Sequence, residues 1–345
     1  MLFHMEPHDG TLVGWVLPDN PAAMPRVKIF GPDGLLVELE ANALRTDLRD
    51  RGMHETGMAG FVIDSKILPK PELFNQIEIR ESNTNILIYR AFQPGAHIEQ
   101  KLFRFELQAM PDTKTEELFA RRFNLYYGAA QRFPQETMFG VVNNPAAKSV
   151  YISGRLNFQQ YEQLLREREF KIVALIRNPY EEMAERLLFA RYVSAADIAP
   201  FVLDYFQGLE PLKDLVKTIK FDDAETIKTA FNAMTEEQRT VLSNPLVRAL
   251  ACTLEERPKA GHVEIALSKL ARMDLVGLRN RFVDFKSIMA EVFGVDILGN
   301  HELSALTWVP RIVEHLTQIK QARTLISLDL DLYTYAEQAI TEVIG

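Results

Sequence analysis

Short apolar runs separated by turn residues fill the first hundred positions. Thr11–Leu17, T-L-V-G-W-V-L, is followed by Val27–Phe30, Leu35–Leu39, Ala59–Asp64, Gln76–Arg80 and Ile86–Tyr89. Each has the length and composition of a strand, and the regular spacing predicts a small β-sandwich over residues 1–97. G-P-D-G at 31–34 and E-S-N-T-N at 81–85 supply two connecting turns. Residues 45–60 contain three glycines and predict a loop, and Phe92–Ala96, F-Q-P-G-A, predicts a linker.

From Lys101 the pattern changes. Leu102–Leu107 predicts a strand and Leu118–Tyr127 a helix. A strand over Ser149–Ile152 and a helix over Gln159–Arg168 follow. Lys171–Ile176, K-I-V-A-L-I, is a continuous apolar run of the kind that enters a buried parallel sheet. A helix over Tyr180–Tyr192 comes directly after it. Strands alternating with helices predict an α/β domain over 98–345, a parallel sheet flanked by helices. From about Asp197 the chain predicts mostly helix. Phe282, Phe285, Ile288 and Val292 share one helix face, as do Val263, Leu267 and Leu270. Pro310 predicts a helix start or a kink, and Leu325–Leu328 a last strand.

Composition narrows the class of protein. With 47% hydrophobic and 25% charged residues, the 345-residue chain is globular, with room for one large domain or two ordinary ones. No apolar run reaches the length of a membrane span, and the first ten residues lack a basic segment followed by an apolar one. A single cysteine, Cys252, excludes internal disulfides, and a cytoplasmic location is the default expectation. A net charge of −8 argues against a general nucleic-acid or anionic-membrane binder. The seven histidines show no metal-binding spacing. His4 and His8 are spaced for one helix face but fall in an expected loose terminus.

The strongest functional signal is Met110–Leu118, M-P-D-T-K-T-E-E-L, a turn between a strand and a helix. Backbone N–H groups at such a place are suited to an anion. Four segments, in order, resemble the carbohydrate sulfotransferase family. They are Pro111–Thr113, Ile152–Tyr161 (I-S-G-R-L-N-F-Q-Q-Y), Ile176–Glu185 (I-R-N-P-Y-E-E-M-A-E), and the trio 244–250, 273–282 and 329–336. The N-terminal region resembles β modules found beside bacterial glycan-modifying enzymes. The resemblance implies a P-loop-like fold, the donor 3′-phosphoadenosine 5′-phosphosulfate (PAPS) and a sugar hydroxyl as acceptor. It also implies donor-binding positions at Thr113, Lys114, Thr115, Arg177 and Glu185.

At those positions the family's chemistry is altered. Thr113 and Arg177 keep the family residue. Asp112 stands where the family has lysine, Lys114 and Thr115 where it has glycines, and Glu116 and Glu117 where it has threonine and serine. Glu185 replaces the serine of the 3′-phosphate subsite, and Arg155 replaces a histidine. A phosphate ~4 Å from a carboxylate meets roughly 4 kcal/mol of repulsion at an effective dielectric near 20. Each lost charge-assisted hydrogen bond costs roughly 1.5–3 kcal/mol more. The expectation is a disabled donor site with no cofactor, filled by the chain's own carboxylates. The role expected is a non-catalytic glycan- or protein-binding scaffold of bacterial surface-glycan assembly.

The alternative is an active PAPS-dependent transferase. Lys114 then stabilises the sulfate, Arg177 holds the 3′ phosphate, and Glu116 or Glu117 is the acceptor's base. A different nucleotide or an anionic sugar in the old pocket is a third reading. Structural roles stand beside all three. Arg177 can pair with Glu181 or Glu185, Arg155 can be an exposed loop residue, and Trp15 can be core packing. Cys252 reads as a buried small hydrophobe.

Overall fold

The computed structural model describes every residue except Asp9, Pro21, Pro145, Ala146, Ala196, Asp197, Ala305 and Gly345. Asp197, where the sequence places the start of the helical part, therefore lies outside the described residues. The first ninety residues form β1 (Leu2–His8), β2 (Thr11–Leu17), β3 (Arg26–Gly31), β4 (Gly34–Glu40), β5 (Ala43–Leu44), helix α1 (Thr46–Asp50), β6 (Met58–Ile63), β7 (Glu78–Glu81) and β8 (Leu87–Arg90). They make two four-stranded antiparallel sheets, β1-β2-β6-β5 and β4-β3-β7-β8.

The described residues of the rest of the chain carry five strands: β9 (Lys101–Phe105), β10 (Leu125–Tyr127), β11 (Val150–Gly154), β12 (Phe170–Ile176) and β13 (Leu275–Leu278). They form one parallel sheet in the order β10-β11-β9-β12-β13. Between β9 and β12 run α2 (Thr113–Arg122), α3 (Gln135–Val142) and α4 (Phe158–Glu167). After β12 come α5 (Pro179–Ala195), α6 (Pro200–Phe206), α7 (Leu212–Lys217), α8 (Ala224–Asn232), α9 (Glu236–Leu242), α10 (Pro245–Ala251) and α11 (Gly261–Leu270). Beyond β13 lie α12 (Phe282–Phe293), α13 (Val309–Thr317), α14 (Lys320–Leu325) and α15 (Ser327–Ile344).

Strand periodicity sorts the core into layers. Phe103, Phe105, Ile172, Ala174 and Ile176 face a core shared with α4, α10, α11, α15 and the antiparallel sheets. Leu102, Tyr151, Val173 and Leu175 face α2 and α12 on the other side. Helices α5 to α9, together with α13 and α14, pack a separate core. Leu87 and Tyr127 tie the antiparallel sheets to the parallel one, the Tyr127 hydroxyl donating to the Leu87 carbonyl at 2.8 Å. No helix among the described residues is long and apolar enough to cross a membrane.

Several expectations are corrected. The helix expected over Leu118–Tyr127 begins at Thr113, because Asp112 caps it, and Leu125–Tyr127 leaves it to pair with Val150–Ile152. Leu325–Leu328 ends one helix and begins another; a four-residue apolar run cannot by itself distinguish a strand from a buried helix. Leu275–Leu278 is a strand that its glycine concealed. A Cβ on Gly277 would lie 2.4 Å from the Phe285 ring, so helix and strand require that bare backbone. Leu2–His8 is a strand rather than a loose end, and His4 stacks on half-buried Trp15, whose other neighbours include Arg45. The loop over 45–60 contains α1 and the start of β6.

Candidate functional site

The sheet order places the site. From β9 the chain crosses to β10 on one side, and from β12 it crosses to β13 on the other. Ligands of open parallel sheets bind where neighbouring connections part in this way, beyond the carboxyl ends of the strands. The residues there are the turn after β9, residues 106–112, and Arg177 after β12.

Three amides at the turn already have acceptors. The Gln108 N–H donates to Glu106 Oε1 at 2.9 Å, the Ala109 N–H to Glu182 Oε1 at 3.1 Å, and the Thr115 N–H to Asp112 Oδ1 at 3.1 Å. Three carboxylates of the chain itself thus occupy donors that face an anion in a phosphate-binding turn. Asp112 also ties down a distant segment: His301 Nε2 lies 2.9 Å from its second oxygen. Burial works against the Asp112 charge, but the His301 hydrogen bond and the Thr115 amide hold its pKa below the ordinary carboxylate value.

The acids expected to repel a phosphate are internally paired. Glu116 contacts the Arg104 guanidinium and accepts from Ser153 Oγ at 2.8 Å and the Tyr151 hydroxyl at 3.1 Å. It points into this cluster and is not among the residues lining the adjacent cleft. Glu117 is exposed, 3.9 Å from Arg121 one turn on. Glu185 is only 2% exposed; it pairs with Arg177 and lies 3.9 Å from Arg279. Arg177 also reaches Glu181 at 3.0 Å. Burial opposes the Arg177 charge, yet Glu185 keeps its pKa above the ordinary arginine value. The local pairing open to Arg177 in the sequence is therefore realised. The roughly 4 kcal/mol of repulsion from each free carboxylate does not describe this site, because the paired carboxylates have their own cations.

Two clefts flank the turn. A polar one of about 390 Å³ is lined by Thr113, Lys114, Glu185, Arg279, His301 and Glu302, among others. Lys114 is the exposed cation there. An apolar one of about 430 Å³ is lined by Met110, Phe189, Tyr192, Val202, Leu306 and Trp308, with Tyr192 54% and Trp308 49% exposed. Thr113 lines both clefts, whereas Thr115 is buried with its hydroxyl unpartnered.

Arg155 is not an exposed loop residue. Gly154 adopts φ +153°, and a Cβ there would lie 2.5 Å from the Ala130 amide, so glycine lets β11 end against the 130 turn. Arg155 then turns inward, its guanidinium donating to the carbonyls of Tyr205, Gln207 and Ala109. Cys252 is buried with Sγ 3.6 Å from His262 Nδ1.

Sequence reasoning missed Arg104, Glu106, Glu182, Arg279 and His301. Arg104 and Glu106 carried a signal: charges inside an apolar strand are buried charges that need partners. His301 carried none. Among the described residues, no group of three or more His, Cys, Asp or Glu is placed to hold a metal ion. No family model matches this chain, and no curated protein matches its sequence. The fold and site define a five-stranded parallel α/β protein with a pre-filled turn at its switch point.

Glu182 predicts a pH dependence. Burial pushes its carboxyl up to about 7; Arg186 pulls it down and Glu185 pushes it further up. Its folded pKa is above its unfolded one, so this group's contribution is full below the unfolded value near 4.5 and lost as pH rises through about 7. Glu182→Gln keeps an acceptor for Ala109 and Arg186. The variant is expected to gain stability relative to wild type between pH 5 and 8, by up to about 3 kcal/mol. Melting curves of both proteins across that range check it; a constant difference would place the titration elsewhere.

Proposed function

We propose that this chain is a non-catalytic binding protein on a sulfotransferase-like fold, its phosphosulfate-donor site closed by its own ion pairs. The observation that carries this reading is the set of turn amides at 108, 109 and 115 accepted by Glu106, Glu182 and Asp112. Glu185 between Arg177 and Arg279 supports it at the second phosphate subsite. A phosphate entering the turn must displace carboxylates that are themselves hydrogen-bonded, and loses that exchange. The two clefts leave room for a glycan or protein ligand, and the N-terminal resemblance favours a role in bacterial surface-glycan assembly.

A second reading keeps an active PAPS-dependent carbohydrate sulfotransferase. One observation favours it: exposed Lys114, beside Thr113, lines the polar cleft. Adenosine 3′,5′-bisphosphate, the spent donor, separates the two. At a hundred times a micromolar Kd, a working site raises stability by roughly 2.7 kcal/mol. The expected result is no shift in melting temperature. A shift that disappears in Lys114→Ala would overturn the closed-site reading.

A further inference from the structure

A third cleft is built differently. It has a volume of about 550 Å³ and lies between α9, α10, the residues after β11 and the link from α6 to α7. Three arginines line it, Arg155, Arg186 and Arg248, and no acid does among the described residues. That is a basic cleft on a chain of net charge −8.

The three cations are not equally satisfied. Arg186 pairs with Glu182 at 2.9 Å. Arg155 is held by carbonyls, which carry no charge to offset its own. Arg248 makes no side-chain hydrogen bond among the described residues, and its Nε is shut off from water without a partner. Burial lowers the pKa of Arg248, and Arg186 and Arg257 push the same way against Cys252 and Asp329. In the same cleft Asn157 donates to the Cys252 carbonyl, but its Oδ1 is buried and unpartnered. Buried polar atoms left without partners are uncommon and ask for an explanation.

We infer that this cleft binds an acidic sugar unit, its anionic group on the Arg248 guanidinium, which lines the cleft without an ion-pair partner among the described residues. A guanidinium without a carboxylate partner, in a cleft that no acid lines among the described residues, calls for an anionic ligand, and the sugar rests on the glycan part of the proposed function. Arginine forks suit a carboxylate or a sulfate equally. The volume lies within the range of small-molecule sites. Leu254, 72% exposed at the rim, lies along the same opening. The inference extends the glycan part of the proposed function but does not depend on the fate of the donor site.

The test is calorimetric titration of the full chain with three disaccharides: one containing glucuronate, its carboxyl-reduced neutral counterpart, and an O-sulfated one. At least one acidic probe is expected to bind ten times or more tightly than the neutral one, and which one binds identifies the anion. Arg248→Gln is expected to weaken that binding at least tenfold. Equal affinity for acidic and neutral probes, no binding of either acidic probe, or full affinity in Arg248→Gln would overturn the assignment. Should Arg248→Gln fail to fold, Leu254→Asp at the exposed rim replaces it. Leu254→Asp should weaken the acidic probe alone, and unchanged affinity counts against the site. Neither variant touches the turn at 108–113, so the adenosine bisphosphate result is read separately.

Discussion

Arg104→Met is expected to lower stability by about 3–5 kcal/mol, the cost of removing one partner from a buried ion pair. Arg104 lies on the central strand, 7% exposed, with Glu106 at 3.0 Å on one side and Glu116 on the other. Its Nε also donates to the Tyr151 hydroxyl at 2.9 Å. Without it, two carboxyls face each other across a dry space and must bind protons to remain. Burial already raises the Glu106 carboxyl above its ordinary range, against the pull of Arg104. Such a loss is a large part of the 5–15 kcal/mol that holds a typical fold together. Adding Glu116→Gln should recover part of it, since the amide still accepts from Tyr151 and Ser153 without a charge. Denaturant melts of wild type, single and double variants measure the coupling. A double variant no more stable than Arg104→Met would mean that Glu116 is not the partner that matters.

The second large effect is at Glu185. Glu185→Ser places there the hydroxyl of the sulfotransferase pattern that the sequence resembles and leaves Arg177 and Arg279 without their shared carboxylate. In dilute buffer the variant should lose about 3–5 kcal/mol, because two partly buried guanidinium groups are left facing each other. The same vacancy should accept an anion. Adenosine 3′,5′-bisphosphate at a hundred times its Kd should restore roughly 2.7 kcal/mol to the variant and nothing to the wild type. A variant that melts lower and ignores the bisphosphate would show that Arg177 and Arg279 form a structural pair only, and the sulfotransferase comparison would lose its second subsite.

Both predictions depend on what kind of information a sequence carries. Two-residue periodicity set the faces of β9, β11 and β12, and the run K-I-V-A-L-I identified the buried parallel strand β12 from seven neighbouring residues or fewer. The order strand, turn, helix after Lys101 was legible because apolar runs and turn residues are local signals, but the helix expected over 118–127 spans Thr113–Arg122 instead. The acidic character of the turn was legible too, since the sign of a charge is written in each residue. Its pairing was not. The partner of Asp112 is 189 positions away at His301, and Glu182 reaches Ala109 across 73. No periodicity links such positions, because the contact is made only when α5 and the segment before α13 close over the end of the sheet. Free carboxylates and paired carboxylates look identical along the chain and act oppositely on an anion. The sequence alone determined the strand and turn before a helix and the presence of Asp112, Glu116, Glu117 and Glu185. The tertiary structure decided that Glu116 and Glu185 are paired with arginines, that Asp112 joins Glu106 and Glu182 on three of the turn's amides, and that Arg248, without an ion pair among the described residues, lies in a different cleft, on α10.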